Sequence, residues 1–362
     1  MHILEAGFEA RSERINARPL VLLLHGFPEL AYSWRKVMLP LAAAGVHVVA
    51  PDQRGYGRTT GWDASYDGDV ASFRTLNLVR DAIGLVSALG YRSVKAVVGH
   101  DAGSSVAAWS GLIRSDVFHS VAMMSAPFAG PPALPFDTDH AGPAKLPTRS
   151  IHDDLAALKR PRKHYQWYYS TREANDNMWK CRQGVHAFMR AYSHHKSADW
   201  KQNQPFPLAS WTAGELEKMP TYYIMDLHEG MAETVAKEMP SASEIAGNTW
   251  LPEQELAVYA EEYGRNGYQG GLQWYRCNTS GRNAAELQIF SGRTLDVPSC
   301  FIAGQSDWGI YQRPGGDMIK MQKDALTNMR GCHLVKDAGH WVQQEQPERV
   351  SALLLDFLNQ QS

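Results

Sequence analysis

Val94-Lys95-Ala96-Val97-Val98-Gly99-His100-Asp101-Ala102-Gly103 decides how the chain is read. Val94 to Val98 is a short apolar run of the kind left by a strand covered on both faces. Gly99-x-Asp101-x-Gly103 then sets small residues two positions either side of an acid. That spacing suits a sharp strand-to-helix turn. The central side chain stands exposed in a strained conformation, and the glycines let the backbone pass. Serine is the usual occupant of such an apex; here it is aspartate. An ordinary helix N-cap is the plain alternative for Asp101.

Working outward, more runs of the same kind appear. Pro19 to His25 ends in Gly26, Val46 to Ala50 ends in Pro51-Asp52, and Phe118 to Met124 ends before Pro127. Helix-length stretches lie between them, such as Ser72 to Leu89 with its apolar spacing. Alternating strands and helices imply a doubly wound, mostly parallel sheet wrapped by helices. The pattern breaks at Gly130-Pro131-Pro132. The long segment that follows holds six of the eleven tryptophans: Trp167, Trp179, Trp200, Trp211, Trp250 and Trp274. It reads as mostly helical with long loops, including Leu251 to Tyr263. Strand signals return at Val297 to Ala303 and His333 to Val335, and an amphipathic helix over Pro347 to Leu358 closes the chain. The expected layout is a sheet core over 1–129 and 295–362, interrupted by a mainly helical cap over 130–294. For any single tryptophan of the cap, packing within the cap's own core is the expected role. Few residues precede Pro19, so one or two edge strands usual for such a sheet are expected to be absent.

Composition narrows the class. Lys plus Arg is 36 against 38 Asp plus Glu, a formal net charge of −2. There is no Lys/Arg-rich run, so a nucleic-acid partner is not expected. The four cysteines, Cys181, Cys277, Cys300 and Cys332, form no CxxC pair, which points away from a metal site or a disulfide framework. No signal peptide and no apolar run of membrane-spanning length is present. A cytoplasmic monomer or homodimer is expected. His194-His195 invites a metal, but adjacent residues on a helix do not face one point.

Reactive residues recur where strands end, which is where open parallel sheets bind ligands. Asp101 follows one strand, Asp307 lies just after Val297 to Ala303, and His340 just after His333 to Val335. An aspartate is ionised at neutral pH and needs no base to attack an electrophilic carbon. The product is an ester that something must hydrolyse. His340 is the candidate base for water, and Asp307 the acid that orients its second nitrogen. Backbone N–H groups of Phe27, in His25-Gly26-Phe27-Pro28, and of Ala102 are candidates to hold the oxyanion. A plain Gly-Pro turn, a packing histidine and a turn aspartate are the structural alternatives.

The nucleophile–acid–histidine order is that of α/β-hydrolases, and the chain resembles their soluble epoxide hydrolases. The matching stretches are HGFPE (His25 to Glu29), PDQRGYGRT (Pro51 to Thr59), GHDAG (Gly99 to Gly103), SDWG (Ser306 to Gly309) and DAGHWVQQEQPE (Asp337 to Glu348). HYQWYY (His164 to Tyr169) and EEYGRNGYQGGLQWYR (Glu261 to Arg276) match within the cap. The resemblance implies that Tyr165 and Tyr275 donate hydrogen bonds to the epoxide oxygen. It also implies a vicinal diol product and no cofactor or metal, while the aromatic-rich cap itself suggests an apolar or aromatic epoxide as substrate. A phenol is acidic enough to assist an alkoxide leaving group and neutral at pH 7.

The sequence also departs from the family. Ala102 stands where epoxide hydrolases usually carry tryptophan, which leaves room beside Asp101. The middle of the cap, from Lys180 to Pro240, has no assigned motif. A dehalogenase with the same Asp101, Asp307 and His340 is the main rival. Ala102 can supply neither the tryptophan N–H nor the arginine such enzymes carry after the nucleophile, and Gln166-Trp167 replaces their cap His-Trp pair. A serine esterase is discounted, because Ser104 and Ser105 fall inside the helix after the turn. A ligand-binding protein of the same fold is the reading from another class.

Overall fold

The computed structural model describes residues 1–8, 18–134, 150–314 and 317–361. Seven strands form one sheet: β1 (Ile3–Ala6), β2 (Leu20–Leu24), β3 (His47–Pro51), β4 (Ala96–His100), β5 (Val121–Met124), β8 (Ser299–Gly304) and β9 (Met329–Val335). Their spatial order is β1-β3-β2-β4-β5-β8-β9. All neighbours are parallel except β1, which runs antiparallel to β3.

The apolar runs continue without alternation because both sheet faces are covered. In β2, Leu20, Leu22 and Leu24 enter one core, shared with the helices Thr75–Ala88 and Ala102–Ile113 and with the cap. Val21 and Leu23 enter the other, beneath the helices Arg35–Ala43 and Pro347–Asn359. The chain builds β3 on one side of β2 and then β4 on the other. That reversal opens a crevice at the carboxyl ends of β2 and β4, where the Phe27 and Asp101 loops begin.

Three expectations need correction. An edge strand is present: Ile3–Ala6 pairs with Pro51–Val48. It is four residues long and only partly buried, too short and too mixed to show a period. The strand read at Val94 starts at Ala96, and Val94 makes a single bridge to Phe118. The cap is not only helix and loop. β6 (Arg162–His164) and β7 (Ile224–Asp226) pair antiparallel within it.

Helices between β5 and β8 include Glu173–Trp179, Gly184–Lys196, Glu253–Asn266 and Gln269–Thr279. Leu251 to Tyr263 falls mainly in the third of these. The cap is tied to the core at several points. Trp274 Nε1 donates to the Arg54 carbonyl at 2.9 Å, Trp341 Nε1 to the Ser193 carbonyl at 2.8 Å, and Arg35 pairs with Glu255. Among the described residues no helix is long and apolar enough to cross a membrane.

Gly103 lies where the helix after Asp101 crosses the end of β2. A Cβ there would collide with the carbonyls of Leu24 and His25, which are backbone and cannot swing aside. Gly103→Ala is expected to lower the unfolding free energy by about 3 kcal/mol. Urea unfolding of the purified variant reads this as a lower midpoint.

Candidate active site

β4 ends at His100, and the chain turns at once into the helix Ala102–Ile113. Asp101 sits at the apex with φ 53° and ψ −120°. A non-glycine residue in this region carries about 1–3 kcal/mol of strain. Among the described residues the other non-glycine positions with positive φ are Ser125 and Asp337. Ser125 follows β5, the neighbour of β4, and Asp337 lies two residues beyond β9 at the sheet edge. Phe27 N–H donates to Asp101 Oδ1 at 3.0 Å, because β2 and β4 are neighbours. The loop can come so close only because residue 26 has no side chain; a Cβ on Gly26 would strike the Asp101 carboxylate. Ala102 N–H, at the first helical position, has no carbonyl one turn back to take it.

His340 and Asp307 follow the adjacent strands β9 and β8. His340 Nδ1–H donates to both Asp307 oxygens at 3.2 Å. Asp307 also accepts the Gly309 N–H at 2.7 Å. This fixes the imidazole so that Nε2 faces Asp101 Oδ2 at 3.5 Å. Nε2 is buried and has no hydrogen-bond partner among the described residues. Burial alone would depress the imidazole, but the Asp307 and Asp101 carboxylates outweigh it and hold His340 up to about 9. Burial likewise works to raise Asp101, and His340 overcomes it, so the carboxyl lies well below its ordinary range. The empty state therefore holds a buried imidazolium between two carboxylates.

The His340 backbone is gripped from both sides. Its N–H donates to the Lys196 carbonyl at 2.9 Å, a cap residue. Its carbonyl accepts from His100 Nε2 at 2.7 Å and from Ser125 Oγ at 3.1 Å. His100 Nδ1 meets Glu29 Oε2 at 2.5 Å, and Glu29 also accepts the Gly26 N–H at 2.8 Å. Glu345 accepts the amides on either side of His340, Gly339 N–H and Trp341 N–H, each at 2.9 Å, and the cap amide of Ala198 at 2.8 Å. Glu29, His100 and Glu345 lie inside the quoted motifs but carried no role in the sequence. Their partners come from other strands, and spacing along the chain does not show them.

The two cap tyrosines reach the same place but are not equivalent. Tyr165 and Tyr275 have ring centroids 6.0 Å apart, and Tyr275 packs edge-on against Phe27 at 5.5 Å. Burial, then the nearby Asp101 charge, raises both phenols above their usual value, so both are neutral. Tyr165 donates to Gln312 Oε1 at 3.1 Å and accepts from Gln166 Nε2 at 3.2 Å. Tyr275 has no hydrogen bond to any described residue through its hydroxyl. Tyr168 bonds Asn177 at 2.7 Å, and Tyr169 bonds Tyr192 at 3.1 Å. Gln166 and Gln312 line an open recess of about 380 Å³ with His164, Trp167 and Trp211. A wider recess of about 910 Å³ is lined by Leu20, Lys95 and Pro298. It lies at the opposite ends of the strands, away from Asp101.

Residues 19–347 match the family model of the alpha/beta hydrolase fold. Epoxide hydrolase B of Mycobacterium tuberculosis (strain ATCC 25618 / H37Rv) is 32% identical over 343 residues, 94% of this chain and 91% of that protein. The chain belongs to the epoxide hydrolase family of the α/β-hydrolase fold. An epoxide hydrolase from an endophytic Streptomyces superposes with a TM-score of 0.75 at 27% identity, covering 99% of this chain and 91% of that one. Epoxide Hydrolase A from Mycobacterium thermoresistibile gives 0.71 at 29%, covering 99% and 94%. Of the cap tryptophans, Trp200 packs against His195 and Trp274 against Tyr56, while Trp167 and Trp211 line the recess beside Gln166 and Gln312.

A histidine raised on folding stabilises the protein below its unfolded value and loses that contribution as pH rises through the folded one. The His340 contribution is therefore expected to be full below about pH 6.5 and to fade as pH passes about 9. Urea midpoints measured across that window should fall, and His340→Gln should remove most of the fall.

Proposed function

We propose that this family member hydrolyses an epoxide to a vicinal diol through an ester on Asp101. One observation carries the reading. His340 Nε2 is buried, has no hydrogen-bond partner among the described residues and faces Asp101 at 3.5 Å. A carboxylate nucleophile needs a base aimed at its own carbon, not at a proton of its own.

In the first step Asp101 attacks one epoxide carbon and the ring C–O bond breaks. Tyr275, whose hydroxyl makes no hydrogen bond to any described residue, donates to the departing oxygen. Tyr165 joins it by turning from Gln312. In the second step His340 takes a proton from water, and the hydroxide adds to the Asp101 carboxyl carbon. The N–H of Phe27, already on Oδ1, holds the charge that develops there, and the N–H of Ala102 supports it. The diol then leaves and the carboxylate re-forms. Asp307 keeps the imidazole in the orientation both steps use. The chemistry calls on no metal or cofactor.

The rings of Phe27, Tyr165, Tyr169 and Tyr275 around the carboxylate favour an apolar or aromatic epoxide. The small side chain of Ala102 leaves space beside the nucleophile, and the recess along Gln166 and Gln312 supports a way in. The long helical stretch between β5 and β8 supports 130–294 as the cap and 1–129 with 295–362 as the core. Four free cysteines support a reducing, cytoplasmic setting.

His340→Gln mixed with styrene oxide should accumulate an Asp101 adduct that keeps the full mass of the epoxide, seen by intact mass spectrometry and mapped by peptide digestion. Its breakdown should be slower by 10² to 10⁴, on the order expected for losing a general base. Adducts from haloalkanes alone would replace this reading with a dehalogenase. Tyr275→Phe should slow ring opening on the order of 10²-fold, while Tyr168→Phe should leave it nearly unchanged. Rapid-quench formation of the adduct measures both.

A further inference from the structure

Lys196 is the last residue of the helix Gly184–Lys196, in the unassigned middle of the cap. It is buried, with 4% of its surface exposed, and a buried lysine normally has an anion in contact. Here the ammonium has no hydrogen bond or ion pair to any described residue. Instead it lies among four rings: Tyr223 at 5.1 Å, Tyr192 and Trp341 at 5.5 Å and Tyr222 at 5.8 Å from their centroids. Ring faces attract a cation but do not neutralise it. Trp341 follows His340 in the chain, and the two rings are 4.8 Å apart. The charge of Lys196 is thus held against the catalytic loop by its surroundings and by its own carbonyl, which accepts the His340 N–H.

We propose that Lys196 is a positioning residue whose fixed positive charge drives the proton off His340 once Asp101 is alkylated, and so turns the imidazole into a base. The inference rests on the epoxide-hydrolysis reading above. Counting charges gives the reason. In the empty site Asp101 and Asp307 are anions, and His340 and Lys196 are cations. Alkylation turns Asp101 into a neutral ester. Two cations then share Asp307 and the more distant Glu29, and losing one proton relieves the excess positive charge. The four rings favour keeping the lysine charged, so His340 releases its proton. The count balances, since ring opening creates an alkoxide that takes up one proton as His340 gives one up. Ester hydrolysis then consumes one water. Its oxygen bonds to the Asp101 carboxyl carbon, the ester C–O bond breaks, and the second water proton passes to the departing oxygen as the diol leaves. The released proton rests on His340, which restores the starting pair.

Other charged groups face these two residues. Burial pulls the Lys196 ammonium below its usual value, and Asp101, Asp307 and Glu29 work against that by favouring the charge; His195 precedes Lys196 in the helix. His340 sees Asp101, Asp307 and Lys196, and the His100 ring lies 5.0 Å away with Glu29 behind it. Glu345, which burial pushes up to about 7, holds the flanking amides. All of these but Lys196 stay in place in the variants below.

The experiment follows adduct formation and adduct decay on Asp101 with styrene oxide by rapid quench and intact mass spectrometry over a range of pH. Lys196→Met removes the charge and keeps an unbranched side chain among the rings. It should raise the midpoint of ester hydrolysis by about one pH unit and increase the alkylated fraction near neutral pH, with a smaller effect on adduct formation. Lys196→Arg keeps the charge and should keep the midpoint near that of the unaltered protein. Lys196→Gln gives the same test as methionine should that variant fail to fold. An unchanged midpoint in the uncharged variants overturns the proposal, even if both steps become slower, since that is the mark of a purely structural lysine. Failure of His340→Gln to form any Asp101 adduct would overturn the underlying reading instead.

Discussion

The turn at Asp101 is the constraint on which the site depends. An aspartate at φ 53° cannot relax without moving either β4 or the helix that follows it. Both are packed against the sheet and against the glycines that let the turn close. The strain buys a fixed carboxylate, held out from the sheet and met by the Phe27 N–H. β2 and β4 are adjacent because the chain reverses direction of growth there. The nucleophile and its backbone donor are therefore a result of topology, and a flexible loop could not hold them together. His340 and Asp307 repeat the logic further across the sheet, after β9 and β8.

The cap does more than cover the site. His340 hangs between the core, through His100 and Ser125, and the cap, through the Lys196 carbonyl. Glu345 ties the amides on both sides of His340 to the cap amide of Ala198. A cap displaced from the core would lose three hydrogen bonds to the His340 loop region: Lys196 to His340, Trp341 to Ser193, and Ala198 to Glu345. It would also carry away Tyr165 and Tyr275. The placement of Tyr165 and Tyr275 and that of the His340 loop thus depend on the same packing of cap on core. The charge of Lys196 arrives with them.

Legibility in the sequence followed burial. The strands covered on both faces showed as unbroken apolar runs, with Asp101 and Asp307 beyond their ends, while the half-exposed edge strand β9 before His340 showed only its last residues, His333 to Val335. The partly buried β1 carries no such run, and β6 and β7 are three residues each, so all three escaped notice. The tyrosine pair was legible only through resemblance, since nothing in the spacing of Tyr165 and Tyr275 brings them together. Gln312, which holds the Tyr165 hydroxyl, lies in a loop without a motif. Lys196 was hidden for a similar reason. The rings around it come from a cap helix, from the turn before β7 and from the loop after β9, and their convergence exists only in three dimensions.

The central claim is that the attacking atom belongs to Asp101 and that water reacts with the enzyme, not with the epoxide. A single turnover in ¹⁸O-water, with the protein in excess over styrene oxide, separates the two. The account predicts ¹⁸O in the Asp101 carboxylate, recovered in its peptide, and none in the diol of that first turnover. Label in the first diol, with an unlabelled Asp101, would contradict it.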